Sequence, residues 1–190
     1  MKRIVIIDNY DSFTYNLVHL VYDVTGYDPD VLKNDSFAIA ALAKYEYIIL
    51  SPGPGIPEEA GLLKEVIKVY GPTKKMLGVC LGLQAIGEVY GGKLINLHKV
   101  YHGMKTEIRK TGIFDPILEG VPDVFEVGRY HSWVIDKNTV PPTLLVTSED
   151  VSGEIMSVRH TEYNVFGVQF HPESIMTPDG NTMITNFLNL

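Results

Sequence analysis

Apolar and polar positions alternate along the first half of this chain in a way that separates strands from helices. Residues 3–8 (Arg-Ile-Val-Ile-Ile-Asp) form a short, continuous, β-branched run that predicts a strand covered on both faces. Residues 14–24 place Leu17, Val18, Leu20, Val21 and Val24 on one helical face, with Asp11, Ser12 and Thr14 as candidate N-caps and Gly26 as terminator. A weaker strand at 30–33, a short helix at 37–43 and a buried strand at 47–50 follow. Leu62, Leu63, Val66, Ile67 and Tyr70 then predict a helix over 58–70, stopped by Gly71-Pro72. A strand at 75–79 and a helix at 83–90 complete this half. Strands alternating with helices imply right-handed crossovers and a parallel sheet.

Beyond Gly91-Gly92 the helical spacing gives way to short strands near 93–96, 105–109, 124–127, 134–136 and 144–148. Residues 155–160 and 165–170 read as a hairpin turning at 162–164, and 180–190 as a closing helix. The expected fold is α/β: a mostly parallel central sheet with helices on both faces, plus a smaller antiparallel or mixed sheet. No repeat or linker interrupts it, so residues 1–190 are expected to form a single domain, with the change near residue 93 a change of layer.

Length and composition narrow the function classes. At 190 residues with 45% apolar content, the chain can bury a full core. A net charge of −7 without a Lys/Arg cluster argues against nucleic acid. Only four apolar residues follow Lys2-Arg3 before Asp8, and no run approaches membrane-spanning length, so neither a signal peptide nor a membrane partner is expected. A cytoplasmic location follows as the expectation. One cysteine makes no internal disulfide, no Cys/His spacing fits zinc, and no metal or cofactor is expected.

That cysteine carries the candidate chemistry. Gly78-Val79-Cys80-Leu81-Gly82 sits between a predicted strand and a predicted helix, the frame of a nucleophile elbow. A tight strand-to-helix turn crowds its neighbours, and the two glycines leave room where a Cβ would clash. Free N–H groups and the helix dipole at this point favour an anion. The plainer alternative is a small buried hydrophobe. Ser51-Pro52-Gly53-Pro54-Gly55 also follows a strand, and in an open α/β sheet both loops open at the same carboxyl edge. Its glycine amides suit an oxyanion hole, in which the Gly55 N–H pairs with that of Leu81. Taken alone, the loop reads equally as a proline-rich turn.

Six histidines compete for the role of base: His19, His98, His102, His131, His160 and His171. His171 has the best surroundings, because an extended Phe170-His171-Pro172-Glu173 would put the Glu173 carboxylate on the same side as the imidazole. The carboxylate would then orient the ring, leaving its other nitrogen for Cys80. A solvated His and Glu at a strand end is the alternative. His131, in Arg129-Tyr130-His131-Ser132-Trp133, belongs either to a substrate loop or to the packing of an edge strand.

Ser51-Pro52-Gly53-Pro54-Gly55, Gly78 to Gln84 and Phe166 to Ser174, in this order and spacing, resemble a class I glutamine amidotransferase. The likeness covers nearly the whole chain. Asp8 to Asn16, together with Arg129 to Trp133, looks most like the small subunits of anthranilate synthase and of aminodeoxychorismate synthase. The resemblance implies hydrolysis of L-glutamine to glutamate, with ammonia passed to a larger, separate chorismate-binding synthase subunit. It implies Cys80 as nucleophile, His171 as base and later acid, and Glu173 as its orienting carboxylate. Gly53, Pro54, Gly55, Leu81, Gln84, Ser132 and Trp133 would hold glutamine, Ser132 and Trp133 largely through their backbone. The chain departs from these subunits at Leu83, where they usually carry histidine. Competing readings are a freestanding cysteine hydrolase and a regulatory module that only binds a partner; the candidate triad argues against the second.

Overall fold

The computed structural model describes residues 2–97 and 100–190. The chain runs β1 (Ile4–Asp8), α1 (Thr14–Thr25), β2 (Asp30–Lys33), β3 (Tyr47–Leu50), α2 (Leu63–Tyr70), β4 (Lys75–Val79) and α3 (Leu81–Val89). It continues through β5 (Leu94–Asn96), β6 (Met104–Lys110), β7 (Val124–Arg129), β8 (Trp133–Ile135), β9 (Leu144–Asp150), β10 (Ile155–His160), β11 (Val165–Val168) and α4 (Gly180–Leu188). Among the described residues a nine-stranded sheet has the order β2-β1-β3-β4-β11-β10-β9-β6-β7, and β5 and β8 form a separate antiparallel pair. Strands β2, β1, β3, β4 and β11 are parallel; β10, β9, β6 and β7 continue the sheet antiparallel. The expected α/β fold is therefore present. Its smaller antiparallel sheet is the β5–β8 pair, and the remaining late strands widen the central sheet.

Period-2 geometry explains why the early strands are apolar throughout. Ile4 and Ile6 enter one core cluster with α1 and α4, whereas Val5 and Ile7 enter another with α2 and α3. Tyr47 and Ile49 divide from Ile48 and Leu50 in the same manner. Each fully buried aliphatic side chain contributes roughly 1.5–3 kcal/mol, so both faces need their layer of helices. Among the described residues no helix is long and apolar enough to cross a membrane.

Three local expectations are corrected. Residues 58–70 do not form one helix: a 3-10 turn at Pro57–Glu59 is followed by Gly61 at φ +53°, and α2 starts only at Leu63. The Leu62 amide donates to the Asn34 carbonyl (2.8 Å) at this break, and a Cβ on Gly61 would lie 2.8 Å from the same oxygen. The segment expected as a helix at 37–43 is a 3-10 helix, Ile39–Lys44. The N-cap residue of α1 is Phe13 rather than Asp11, Ser12 or Thr14, although the Asp11 carboxylate accepts from the Phe13 amide (2.7 Å) just ahead of the helix. The Asp8 carboxylate, at the end of β1, instead accepts from the Tyr10 amide (2.8 Å) and the Thr14 hydroxyl (2.9 Å). Gly26 ends α1 as expected, with φ +78° and its N–H on the Tyr22 carbonyl.

Candidate active site

Adjacent parallel strands bring the candidate residues together. Val79 of β4 is in register with Val168 of β11, so Cys80 and Gln169 leave the same sheet edge side by side; the Cys80 amide donates to the Val168 carbonyl at 2.8 Å. Leu50 of β3 is in register with Gly78, which sends the 51–55 loop over the same edge.

At Cys80 the backbone adopts φ 52°, ψ −100°, a strained conformation for a non-glycine residue, and α3 begins at the next residue. The flanking glycines are needed for space. A Cβ on Gly78 would lie 2.5 Å from the Gly82 backbone, and one on Gly82 would lie 2.6 Å from the Leu50 carbonyl oxygen. Gly53 is equally close-packed: its Cβ would meet Leu81 Cδ2 at 2.5 Å and Asn9 Cβ at 2.6 Å. The proline-glycine loop thus abuts the elbow. Asn9 clamps it there, donating from Nδ2 to the Ser51 carbonyl (2.8 Å) and receiving Asn34 Nδ2 on its own Oδ1 (3.0 Å). Among the described residues neither the Gly55 nor the Leu81 amide donates a backbone hydrogen bond.

A pocket of about 160 Å³ opens here, lined by Gly53, Pro54, Gly55, Cys80, Gln84, Tyr130, His131, Ser132 and Trp133. It is smaller than the roughly 300–1,000 Å³ of drug-sized sites, which suits a small metabolite. Two wider depressions, about 670 and 650 Å³, lie along β6 and do not include Cys80. Leu81 is not on the pocket wall; its side chain is buried against Gly53.

His171, beside the thiol, and its partner Glu173 are buried and do not line the pocket. Their side chains are 2% and 0% exposed, and Nδ1 of His171 lies 2.7 Å from Oε1 of Glu173. The contact arises differently from the expected extended segment. Residues 171–174 form a turn closed by the Ser174 amide on the His171 carbonyl (3.1 Å), with Pro172 in its second position, and the turn folds the carboxylate back onto the ring. The His171 backbone is pinned by the Gly128 carbonyl (3.0 Å) and the Thr177 hydroxyl (2.7 Å). Phe13 and Tyr130 stand edge-on to the imidazole at 5.2 and 4.8 Å between ring centroids.

Burial alone would lower the His171 pKa. The adjoining Cys80 and Glu173 side chains outweigh it and raise the pKa to about 10. Nε2 of His171 makes no hydrogen bond of ordinary geometry among the described residues, which leaves it available beside the sulfur.

The sequence matches the class I glutamine amidotransferase family over residues 5–190. The chain belongs to that family. It is 46% identical over 188 residues to the anthranilate synthase component 2 of Lactococcus lactis subsp. lactis (strain IL1403), covering 98% of this chain and 93% of that protein. It is 41% identical over 187 residues to the aminodeoxychorismate/anthranilate synthase component 2 of Bacillus subtilis (strain 168), covering 97% and 95%. Against the bifunctional protein TrpGD of Thermotoga maritima it is 40% identical over its full length and spans 32% of that longer protein. A solved structure of a glutamine amidotransferase from Thermotoga maritima superposes with a TM-score of 0.75, covering 90% of this chain and 76% of that one; at 18% identity this shows the shared fold.

Two features of this candidate site were not assigned from sequence. Gln169 donates from Nε2 to Cys80 Sγ (3.6 Å) and accepts on Oε1 from Gln84 Nε2 (3.4 Å), which also reaches the Trp133 carbonyl (2.9 Å). Its place one residue beyond β11, in register with the cysteine, was the available signal. His131, left between two roles, lines the pocket and is held by buried Arg129. Leu83, at which the chain departs from the resemblance, is fully buried and its Cδ1 fills the space above Gly167 of β11. Of the other histidines, His160 stacks on Tyr163 away from the pocket (4.3 Å between centroids), His102 stands edge-on to Tyr130 (6.1 Å), and His98 lies outside the described residues. His19 is exposed on α1.

Proposed function

We propose that this chain is the glutaminase subunit of a chorismate-aminating synthase, with Cys80, His171 and Glu173 as its triad. The observation that carries the reading is the convergence of a cysteine on a strained elbow and a carboxylate-bound imidazole beside one small pocket. Cys80 Sγ adds to the side-chain amide carbon of L-glutamine, and the oxygen takes the negative charge. The Gly55 and Leu81 amides are the groups proposed to receive it. His171 then passes a proton to the departing nitrogen, releasing ammonia and leaving a thioester. Water, deprotonated by the same imidazole, hydrolyses the thioester to glutamate and frees the thiol. Gly53, Pro54, Gln84, Ser132 and Trp133 are proposed to hold the amino-acid end of the substrate.

The ammonia acceptor is proposed to be chorismate on a larger partner subunit, making the chain component 2 of anthranilate synthase in tryptophan biosynthesis. The relative at 46% identity carries that name. A second reading, the corresponding subunit of aminodeoxychorismate synthase in folate biosynthesis, is favoured by the relative named for both enzymes. Glutamine hydrolysed without an acceptor is wasted, so the isolated chain is expected to turn over slowly. Glutamate release should rise at least about tenfold in kcat/KM when a chorismate-using synthase subunit is added, equivalent to roughly 1.4 kcal/mol of differential stabilisation. Rapid turnover by the chain alone, insensitive to any such subunit, would instead support a freestanding cysteine hydrolase.

The proposed oxyanion loop gives a further test. Gly55 has φ +71°, and a Cβ there would come within 2.8 Å of Glu59 Oε2. Gly55→Ala should therefore disturb the amide and lower kcat more than it raises KM for glutamine, by about 2–4 kcal/mol if the donor is lost outright. Weaker glutamine binding at unchanged kcat would move this loop from transition-state stabilisation to substrate holding.

A further inference from the structure

Behind the pocket lies a buried charged cluster that the triad does not use. Arg129, the last residue of β7, is 1% exposed. Its Nη1 donates to Asp150 Oδ2 at 2.7 Å, its Nε donates to His131 Nε2 at 3.1 Å, and the Tyr101 ring lies 3.6 Å from the guanidinium carbon. Asp150, which ends β9, uses its other oxygen to accept from the Ser152 and Glu154 amides (2.8 and 3.0 Å). Burying such a pair is costly, and a shape-matched apolar pair is often as stable. Stability alone is therefore a weak reason for a guanidinium in this position.

The chemistry of the contacts determines where the proton on His131 resides. A guanidinium carries five N–H donors and no acceptor, so Nε2 of His131 must offer it a lone pair. The ring is then neutral and its proton sits on Nδ1. That nitrogen lies 3.1 Å from the Trp133 carbonyl oxygen, so it donates there. The same oxygen receives Gln84 Nε2, which leads through Gln169 to the Cys80 sulfur. Burial, followed by the Arg129 charge, pushes the His131 pKa down to about 3; His171 acts in the same direction, while the bond to the Trp133 carbonyl and the Asp150 charge act against it. The ring is also stacked on Tyr101 (5.4 Å between centroids). His131 therefore stays neutral throughout the working pH range.

We infer that Arg129 and His131 are positioning residues: Arg129 fixes His131 as the Nδ1–H tautomer, which anchors the Trp133 carbonyl and with it the Gln84 side of the substrate pocket. This inference rests on the proposed glutaminase reading. It assigns the pair an effect on glutamine binding rather than on the chemical step.

The test compares H131L with H131N in the complex with the synthase subunit, using glutamate release as the readout. Both variants leave the Arg129 Nε without its imidazole acceptor, but only asparagine can place an N–H where Nδ1–H stood. H131L is expected to raise KM for glutamine about tenfold with kcat within about threefold. H131N should recover KM to within about threefold of the wild type. Equal KM values in the two variants, or a loss confined to kcat, would overturn the inference. A wild-type complex that hydrolyses no glutamine would overturn the functional reading as well. A second measurement needs no activity: ¹⁵N NMR of histidine-labelled chain, with His131 assigned by its absence in H131N. A neutral Nδ1–H tautomer unchanged between about pH 5.5 and 8, and partly lost in R129K, is the expected result. An Nε2–H tautomer, or titration of His131 within that range, would overturn the assignment even if the glutaminase reading stands.

Discussion

Cys80→Ser in the complex with the synthase subunit is expected to lose glutamine-dependent product formation by roughly 10³-fold or more while leaving the partner able to use free ammonia. The substitution is nearly isosteric, so the strained backbone at φ 52° and the close contacts of Gly78 and Gly82 are retained. What changes is the reacting atom: a hydroxyl is a far weaker nucleophile at its ordinary pKa, and His171 is placed to serve a thiol. The measurement pairs glutamate release with product formation from glutamine and, separately, from an ammonium salt. Near-normal glutamate release by the serine variant would remove Cys80 from the nucleophile's role. Loss of the ammonia-dependent reaction as well would point to disturbed docking rather than to chemistry.

How far such a site can be read from sequence depends on whether its determinants are local. The strand leading to Cys80 and the helix leaving it were legible because a strained turn imposes a steric demand on its immediate neighbours, and Gly78 and Gly82 answer that demand within two residues. The buried strands were legible because a run such as Ile4 to Ile7 admits few structures in which both faces are covered. Gly61 was less informative: Leu62, Leu63, Val66 and Ile67 all follow it and say nothing of the turn before them, and the contact with Asn34, far earlier in the chain, accompanies the left-handed conformation that keeps residues 58–61 out of the helix. Asp150 and Arg129 are separated by 21 positions and on different strands, so each reads alone as an ordinary surface charge. The proximity of Glu173 to His171 was foreseen from their spacing, but the turn around Pro172 that produces it was not. A spacing of two residues brings side chains together in a strand by alternation and in this turn by reversal, and the sequence does not distinguish the two.

Removing the His171 imidazole is the second large effect. His171→Ala is expected to cost on the order of 10²–10⁴-fold in glutamine turnover, the range for a lost general acid-base, and Glu173→Gln clearly less. Glutamine can still accept the Nδ1–H bond now made to Oε1 at 2.7 Å, so the ring keeps its orientation and loses only the neighbouring charge. The pH dependence follows from that charge. Glu173 is one of the groups that raise the His171 pKa, so E173Q lets it fall. Protonating the departing nitrogen needs the imidazolium, whose population drops as pH rises through the His171 pKa; the alkaline fall in kcat should therefore begin at lower pH in E173Q than in the wild type. Glutamate release measured from about pH 6 to 10 on variants with unchanged circular dichroism checks both statements. A larger loss for E173Q than for H171A, or an alkaline limb that moves to higher pH, would contradict the roles given to these two residues.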